Sequence, residues 1–477
     1  MRARLFAPEL RKWWTLAAVA FGLFMIMLDN TVVNVALPSI RDDLGISISE
    51  LEWVVNGYAL TFGVLLLTGG KLADMLGRRR IFMLGLVVFT VSSLACGLAS
   101  TAGLLIGARV VQGVGAALMN PATLSIITAT FPPRQRGMAI GIWAGVSALA
   151  LAIGPLVGGI LTEHISWSWI FFINIPIGVA GLFAARIFID ESRDTSHEQR
   201  LDLPGLLTSG IGLFALTLAL IESNDRGWGD PLVLVLFGVA AVSLVVFVLL
   251  ERHQRLPMLD LSLFRNSTFS AANAVMLLVG FAMFGTFFFV SIYMQTVLGY
   301  SPVQAGAIFL PMTCLIILVA PAAGKLSDRL GPRALMVPGL TLISLSLLLF
   351  SMLDQGSDFW NVLPALIVGG LGMSTAMAPT TSAAMGSVPV DKAGVGSAVI
   401  NSMRQVGGAV GLALAGAIVA TRFDAAHPRP DQFVDGFQLG LRVAAGIAAV
   451  GIFVAAFGVG RVRHLEPHET EAAPGTA

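Results

Sequence analysis

GKLADMLGRR at residues 70–79 returns as GKLSDRLGPR at residues 324–333. Seven of the ten positions agree at an offset of 254: Gly, Lys, Leu, Asp, Leu, Gly and Arg. Gly-rich apolar sequence can resemble itself by chance, but here charged residues and register agree together. Each copy is a short polar turn between two apolar stretches. A weaker echo sets GVGAALMNP at 113–121 against GLGMSTAMAP at 370–379, with a one-residue slip. The repeat divides the chain into two comparable halves.

Working outward, the flanking sequence is too apolar for a soluble fold. Hydrophobic residues make up 56% of the 477 and charged residues 12%, against roughly 25% charged in ordinary soluble domains. A bilayer core of about 30 Å needs roughly 20 apolar residues per helix. Fourteen such segments are predicted: 13–38, 53–72, 81–99, 102–122, 137–162, 168–189, 203–222, 231–250, 269–296, 303–323, 333–353, 360–381, 394–420 and 437–460. The fold class is thus an all-α membrane protein. Six spans fall in an N-terminal bundle (13–189) and six in a C-terminal bundle (266–460). Two helices (201–252) are inserted between them, and a disordered cytoplasmic tail follows (461–477). Repeated halves of this kind are characteristic of membrane transporters, whose substrate site lies between the halves near the bilayer midplane.

Lys and Arg placement predicts orientation. With both termini in the cytoplasm, 22 of the 29 basic residues fall inside, and only Arg41, Arg226, Arg422 and Arg429 fall outside. That satisfies the positive-inside rule. The first apolar stretch follows Arg2, Arg4, Arg11 and Lys12, like a signal peptide. Its length and the spans behind it favour an uncleaved helix. A net charge of +1 points to no nucleic-acid partner, and two cysteines, both in apolar segments, make no disulfide framework or metal motif. No HExxH, GxSxG or P-loop motif is present, so neither an enzyme nor ATP drive is expected.

The repeated loop, with Gly70, Asp74, Gly77, Arg78 and Arg79, resembles the signature loop of the major facilitator superfamily. Three more stretches resemble its fourteen-span drug:proton antiporter branch. They are Leu28-Asp29-Asn30-Thr31 through Asn34 to Pro38, Leu105-x3-Arg109-x2-Gln112-Gly113, and Gly154-Pro155-x2-Gly158-Gly159 with an earlier glycine at Gly141. One glycine of that last motif is Ala150 here. The resemblance implies a major facilitator fold and proton-coupled export of small lipophilic or cationic compounds by alternating access. It needs no cofactor beyond the proton gradient. A same-fold exporter of a lipid, siderophore or endogenous metabolite is the alternative. It further implies that the loop is a cytoplasmic gate, with Asp74 bonding an Arg or a helix N-terminus, and that Asp328 and Arg333 do the same in the second half. Pro332 replaces one basic residue there and weakens that latch.

Asp29 is the only acid well inside an apolar span. A carboxylate in hydrocarbon costs several kcal/mol unless it meets a polar partner, so it marks function. Arg109 is its expected partner, because both residues lie about 11–12 Å below the outer face at 1.5 Å per residue. The pair is either a proton carrier, whose affinity follows the distance between the two groups, or a static bridge. Polar and aromatic residues expected to line a substrate cavity are Asn30, Asn34, Asn56, Tyr58, Gln112, Asn120, Trp143, Tyr293, Gln295, Asn401, Arg404 and Gln405. The expected setting is the inner (plasma) membrane, as a monomer among lipids, with protons and a small-molecule substrate as partners.

Overall fold

The computed structural model describes residues 8–46, 48–193, 202–254, 257, 259–420 and 430–460. Among the described residues, fourteen helices are long and apolar enough to cross a membrane. They are α1 (Leu10–Leu44), α2 (Trp53–Leu76), α3 (Arg78–Gly97), α4 (Ala102–Thr130), α5 (Pro133–His164), α6 (Trp169–Phe188) and α7 (Leu203–Ser223). The rest are α8 (Pro231–His253), α9 (Ser267–Thr296), α10 (Gln304–Leu330), α11 (Arg333–Phe350), α12 (Phe359–Gly386), α13 (Val390–Val419) and α14 (Gln432–Gly458). No strand occurs among the described residues. Within hydrocarbon, helices satisfy every backbone group internally, which is why the apolar segments take this form. The tail 461–477 expected to be disordered lies outside the described residues.

The chain predicts α1 to end at Pro38, yet the helix continues to Leu44. The α5 helix likewise runs through Pro155, and α12 through Pro364 and Pro379. A proline forfeits one backbone hydrogen bond and bends a membrane helix without ending it, because neighbouring helices and side chains satisfy the freed carbonyl. Helix starts follow ordinary capping. Thr101 accepts from the Leu104 amide, Asn266 from Thr268 and Phe269, and Asp358 from Trp360 and Asn361.

Helices α1–α6 form one bundle and α9–α14 the other. Across the divide, α2 packs on α13 and α5 on α10. The inserted α7 rests on both α2 and α13, and α8 packs on α7. Each copy of the repeated loop turns through a glycine with positive φ: Gly77 at 112° and Gly331 at 86°. Glycine adopts that conformation without steric penalty, which accounts for its presence in both copies.

Candidate functional site

Two clusters stand out, one inside the first bundle and one where the bundles meet. The first is built on helical spacing. Arg109 and Gln112 lie three residues apart on α4, and Ser93 and Cys96 three apart on α3, so each pair shares a face. Asp29 on α1 meets them. Its Oδ2 accepts from Arg109 Nη1 at 2.5 Å, and its Oδ1 accepts from Gln112 Nε2 at 2.9 Å and Asn174 Nδ2 at 3.4 Å. Arg109 also donates from Nη1 to Gln112 Oε1 (2.8 Å) and from Nε to the Val54 carbonyl (3.0 Å), and its guanidinium lies 4.2 Å from the Tyr58 ring centroid. Ser93 accepts from Asn174 at 3.0 Å and donates to the Phe171 carbonyl at 2.9 Å.

Asp29 and Arg109 are both 1% exposed. Burying two ions costs several kcal/mol each, and their attraction offsets it only when the leftover donors and lone pairs are bonded. Three helices, α2, α4 and α6, supply those bonds here, and Ser93 of α3 braces Gln112 and Asn174. The cluster therefore answers one question that depth alone left open: the acid and the base touch.

It also moves two residues. Tyr58 and Gln112, expected in a substrate cavity, belong to this sealed cluster instead. The reason is charge: a buried guanidinium draws both an aromatic face and an amide oxygen. Ser93, Asn174 and Cys96 were absent from the sequence expectation. Asn174 carries the one amide in the sixth span, and the argument that singled out Asn30 and Asn120 applies to it equally.

The second cluster is the repeated loop. Asp74 Oδ1 accepts from Arg78 Nε (3.1 Å) and Nη2 (2.9 Å) and from the Gly394 amide (2.9 Å), while Oδ2 accepts from the Val395 amide (3.0 Å). The carboxylate thus caps α13 of the other bundle, where free N–H groups and the helix dipole attract an anion. Arg78 reaches the same junction through the Val390 carbonyl. The second half repeats the device in reverse: Asp328 Oδ1 accepts from the Gly137 amide at 3.0 Å, at the start of α5.

Backbones approach closely at both junctions. A Cβ on Gly70 would lie 2.4 Å from the Gly394 carbonyl oxygen, and one on Gly324 would lie 2.0 Å from that of Gly137. This end of the molecule, which carries both basic loops, is closed.

Arg333 does not share the latch. It is exposed at the start of α11. The position four residues after Asp328, which Arg78 holds relative to Asp74, is Pro332; Arg333 stands one residue too far round. Arg79 also serves a different end. It donates to the Ile189 carbonyl at 3.2 Å, and its amide donates to Glu191 at 3.1 Å. Beside the latch, Lys392 bonds Asp260 Oδ2 at 2.6 Å. Burial pushes the Asp260 carboxyl up, but the bonds from Lys392 and Ser262 outweigh it and hold it at about 2.

The motif glycines of α5 serve close packing. A Cβ at Gly154 would strike Thr31, and one at Gly158 would strike Val32, both on α1. At Gly141 it would meet the Ala320 carbonyl of α10, and Pro155 abuts Gly306. Gly159 is buried.

The remaining cavity candidates disperse. Asn30 and Asn34 bond carbonyls of their own helix, as does Gln295. Tyr293 is buried within the second bundle, stacked on Phe437 and donating to the Asp354 carbonyl, so it lines no path between bundles. Asn56 and Gln405 are half-buried. Trp143 donates to Thr123 at 3.0 Å. Asn120 is fully buried with neither side-chain atom bonded. Arg404, 4% exposed, bonds Asn401 Oδ1 at 3.1 Å, while its Nε has no partner.

Two six-helix bundles, joined face to face and locked by carboxylates that cap each other's helices, define a membrane transporter and not an enzyme. The sequence model of the Major Facilitator Superfamily matches residues 19–412, and the chain belongs to that family. It is 37% identical over 437 residues to the tetracenomycin C resistance and export protein of Streptomyces glaucescens, covering 92% of this chain and 81% of that one. It is 38% identical over 457 residues to the puromycin resistance protein pur8 of Streptomyces alboniger, covering 94% and 90%. The human organic anion transporter MFSD10 (TETRAN) shares the fold, with a TM-score of 0.67 at 16% identity over 93% of this chain and 99% of that one.

Proposed function

We propose that this chain exports small lipophilic antibiotics or drugs across the plasma membrane by alternating access, driven by inward proton flow. The observation that carries the efflux reading is kinship over nearly the whole chain with proteins named for resistance and export. Proton drive rests on Asp29, a carboxylate buried among Arg109, Gln112 and Asn174. Exchange of its contact with Arg109 for a proton is the coupling step of the cycle. Protonation and rearrangement of the first bundle are then one event. Both termini are cytoplasmic by the basic-residue distribution, so the closed end faces the cytoplasm. The chain works as a monomer.

Asp29 is enclosed, so a cationic substrate does not meet it here. Arg404 favours a second reading of the substrate. Among the described residues it is a buried cation with no carboxylate partner, and a compound bearing an acidic or acceptor group would answer it.

Transport in everted vesicles with an imposed pH gradient, using a fluorescent lipophilic drug, tests the scheme. Gradient-dependent uptake by the wild type and its loss in Asp29→Asn are expected. Uptake that survives collapse of the gradient overturns proton drive.

A further inference from the structure

The inserted helices carry a feature that neither cluster above uses. Asp202 caps α7, accepting from the Gly205 amide at 2.9 Å and from Gln254 Nε2 at 3.0 Å, all through Oδ1. Glu251, near the end of α8, accepts from the Leu259 amide at 3.0 Å through Oε2. The other oxygen of each carboxyl group, Asp202 Oδ2 and Glu251 Oε1, is buried with no hydrogen-bond partner among the described residues. These two oxygens converge on one place. They lie 2.2 Å and 2.5 Å from the point a Cβ on Gly205 would occupy. The residues are 6% and 4% exposed.

Two acceptor-only oxygens cannot face each other in a buried place without a donor. An unmet buried acceptor costs about 1–3 kcal/mol, and more when charged. Like-charged carboxylates that share a site do not both ionise. One proton shared between the two oxygens satisfies both without moving the backbone. We propose that Asp202 and Glu251 form a proton-binding site, one proton shared between Oδ2 and Oε1, separate from the Asp29–Arg109 cluster.

Among the described residues, the other charged groups nearby leave this assignment intact. From α2, Lys71 donates to the Pro257 carbonyl at 3.5 Å and makes no ion pair with either acid, so its charge reaches Glu251 only through space. On α8, Arg252 and His253 are exposed. On the connection to α9, Asp260 is taken by Lys392. The site has a consequence for the closed end. Lys71 follows Gly70 directly, and α7 packs on α2 and α13. The shared proton joins the bases of α7 and α8, and α7 in turn packs on the helices that form the Asp74 latch. Its loss sets two anions against each other there and loosens that attachment, whether or not transport itself is proton-driven.

Isosteric amides make the test clean. Asn caps a helix as well as Asp does, and in Asp202→Asn the amide N–H supplies the missing donor to Glu251. Glu251→Gln does the reverse. Infrared difference spectra of the purified full chain in lipid nanodiscs, taken between pH 6 and pH 9, are expected to show a protonated carboxyl band that vanishes at the higher pH. That band should be absent from Asp202→Asn and from Glu251→Gln, and retained in Asp29→Asn. The wild type should also melt lower at pH 9 than at pH 6, because a proton held more tightly in the folded state stabilises in acid and is lost as pH rises. Both amide variants should lose that dependence. Should Glu251→Gln not fold, Asp202→Asn decides alone, and carbodiimide labelling of the wild type checks it by peptide mapping, with an adduct on either acid at pH 6 and none at pH 9. A carboxyl band that persists in both amide variants overturns the proposal, as does no band at all or stabilisation by sodium in place of protons.

Discussion

Replacing Gly324 with Ala should pry open the closed end. The added Cβ would lie 2.0 Å from the Gly137 carbonyl oxygen, 2.5 Å from its carbonyl carbon and 3.1 Å from the Met138 nitrogen. All three are backbone atoms of α5, so no side-chain rotation relieves the clash. Ordinary contact begins at 3.4 Å, and α5 and α10 must therefore separate by roughly 1 Å or more. Overpacking of this kind costs about 1–3 kcal/mol. Charged against the closed state alone, that is a shift of about 5- to 150-fold toward states open at this end. Spin labels at Arg80 and Lys325, both exposed and on opposite bundles, would report it by pulsed dipolar spectroscopy. The background should carry Cys314→Ser, because Cys314 is exposed while Cys96 is buried. A longer-distance population should grow at least five-fold. An unchanged distance distribution, in a variant that melts at the wild-type temperature, would show that α5 and α10 absorb the added methyl without opening.

The two latch carboxylates should differ in weight. Asp74→Asn disturbs bonds to Gly394, Val395 and Arg78, and Asp328→Asn disturbs the bond to Gly137. In the same distance measurement the first should open the closed end more than the second, and equal effects would contradict it. For the buried pair, Asp29→Asn or Arg109→Gln alone should destabilise by about 3–5 kcal/mol, and the double variant by less than the sum of the two. Denaturant unfolding in detergent would measure this, and additive effects would argue against direct coupling. The Asp260–Lys392 bridge contributes above about pH 4 and is lost as pH falls toward about 2, since its folded carboxyl is depressed to about 2. It is partly exposed, so Asp260→Asn should cost roughly 1 kcal/mol or less at pH 7, and progressively less as pH falls through about 2.

The spans were legible because a bilayer imposes one length and one composition on every crossing, and a charge bias needs no three-dimensional information. The equal depth of Asp29 and Arg109 was legible for the same reason, because depth in a membrane is counted along the chain; their contact was not. What α3 and α6 add to that cluster was not. Ser93 and Asn174 are placed by the angle at which helices cross and rotate, which hydropathy does not encode. The latch partners of Asp74 and Asp328 lie 320 and 191 residues away. The repeat showed that each acid has a counterpart, while only the fold shows that each holds the other half's helix. Arg333 failed because helical phase, set by Pro332, decides which side chain faces the acid. The cavity residues failed in a different way, because polarity within a span marks any buried bond and not only those to a substrate.

The placement of α7 makes the two seams between the bundles unlike. One seam, α2 against α13, is covered by protein. The other, α5 against α10, has no such cover among the described residues. Parting the first seam must drag the inserted pair with it, whereas parting the second displaces only acyl chains. A chain with twofold ancestry has thereby acquired a front and a back.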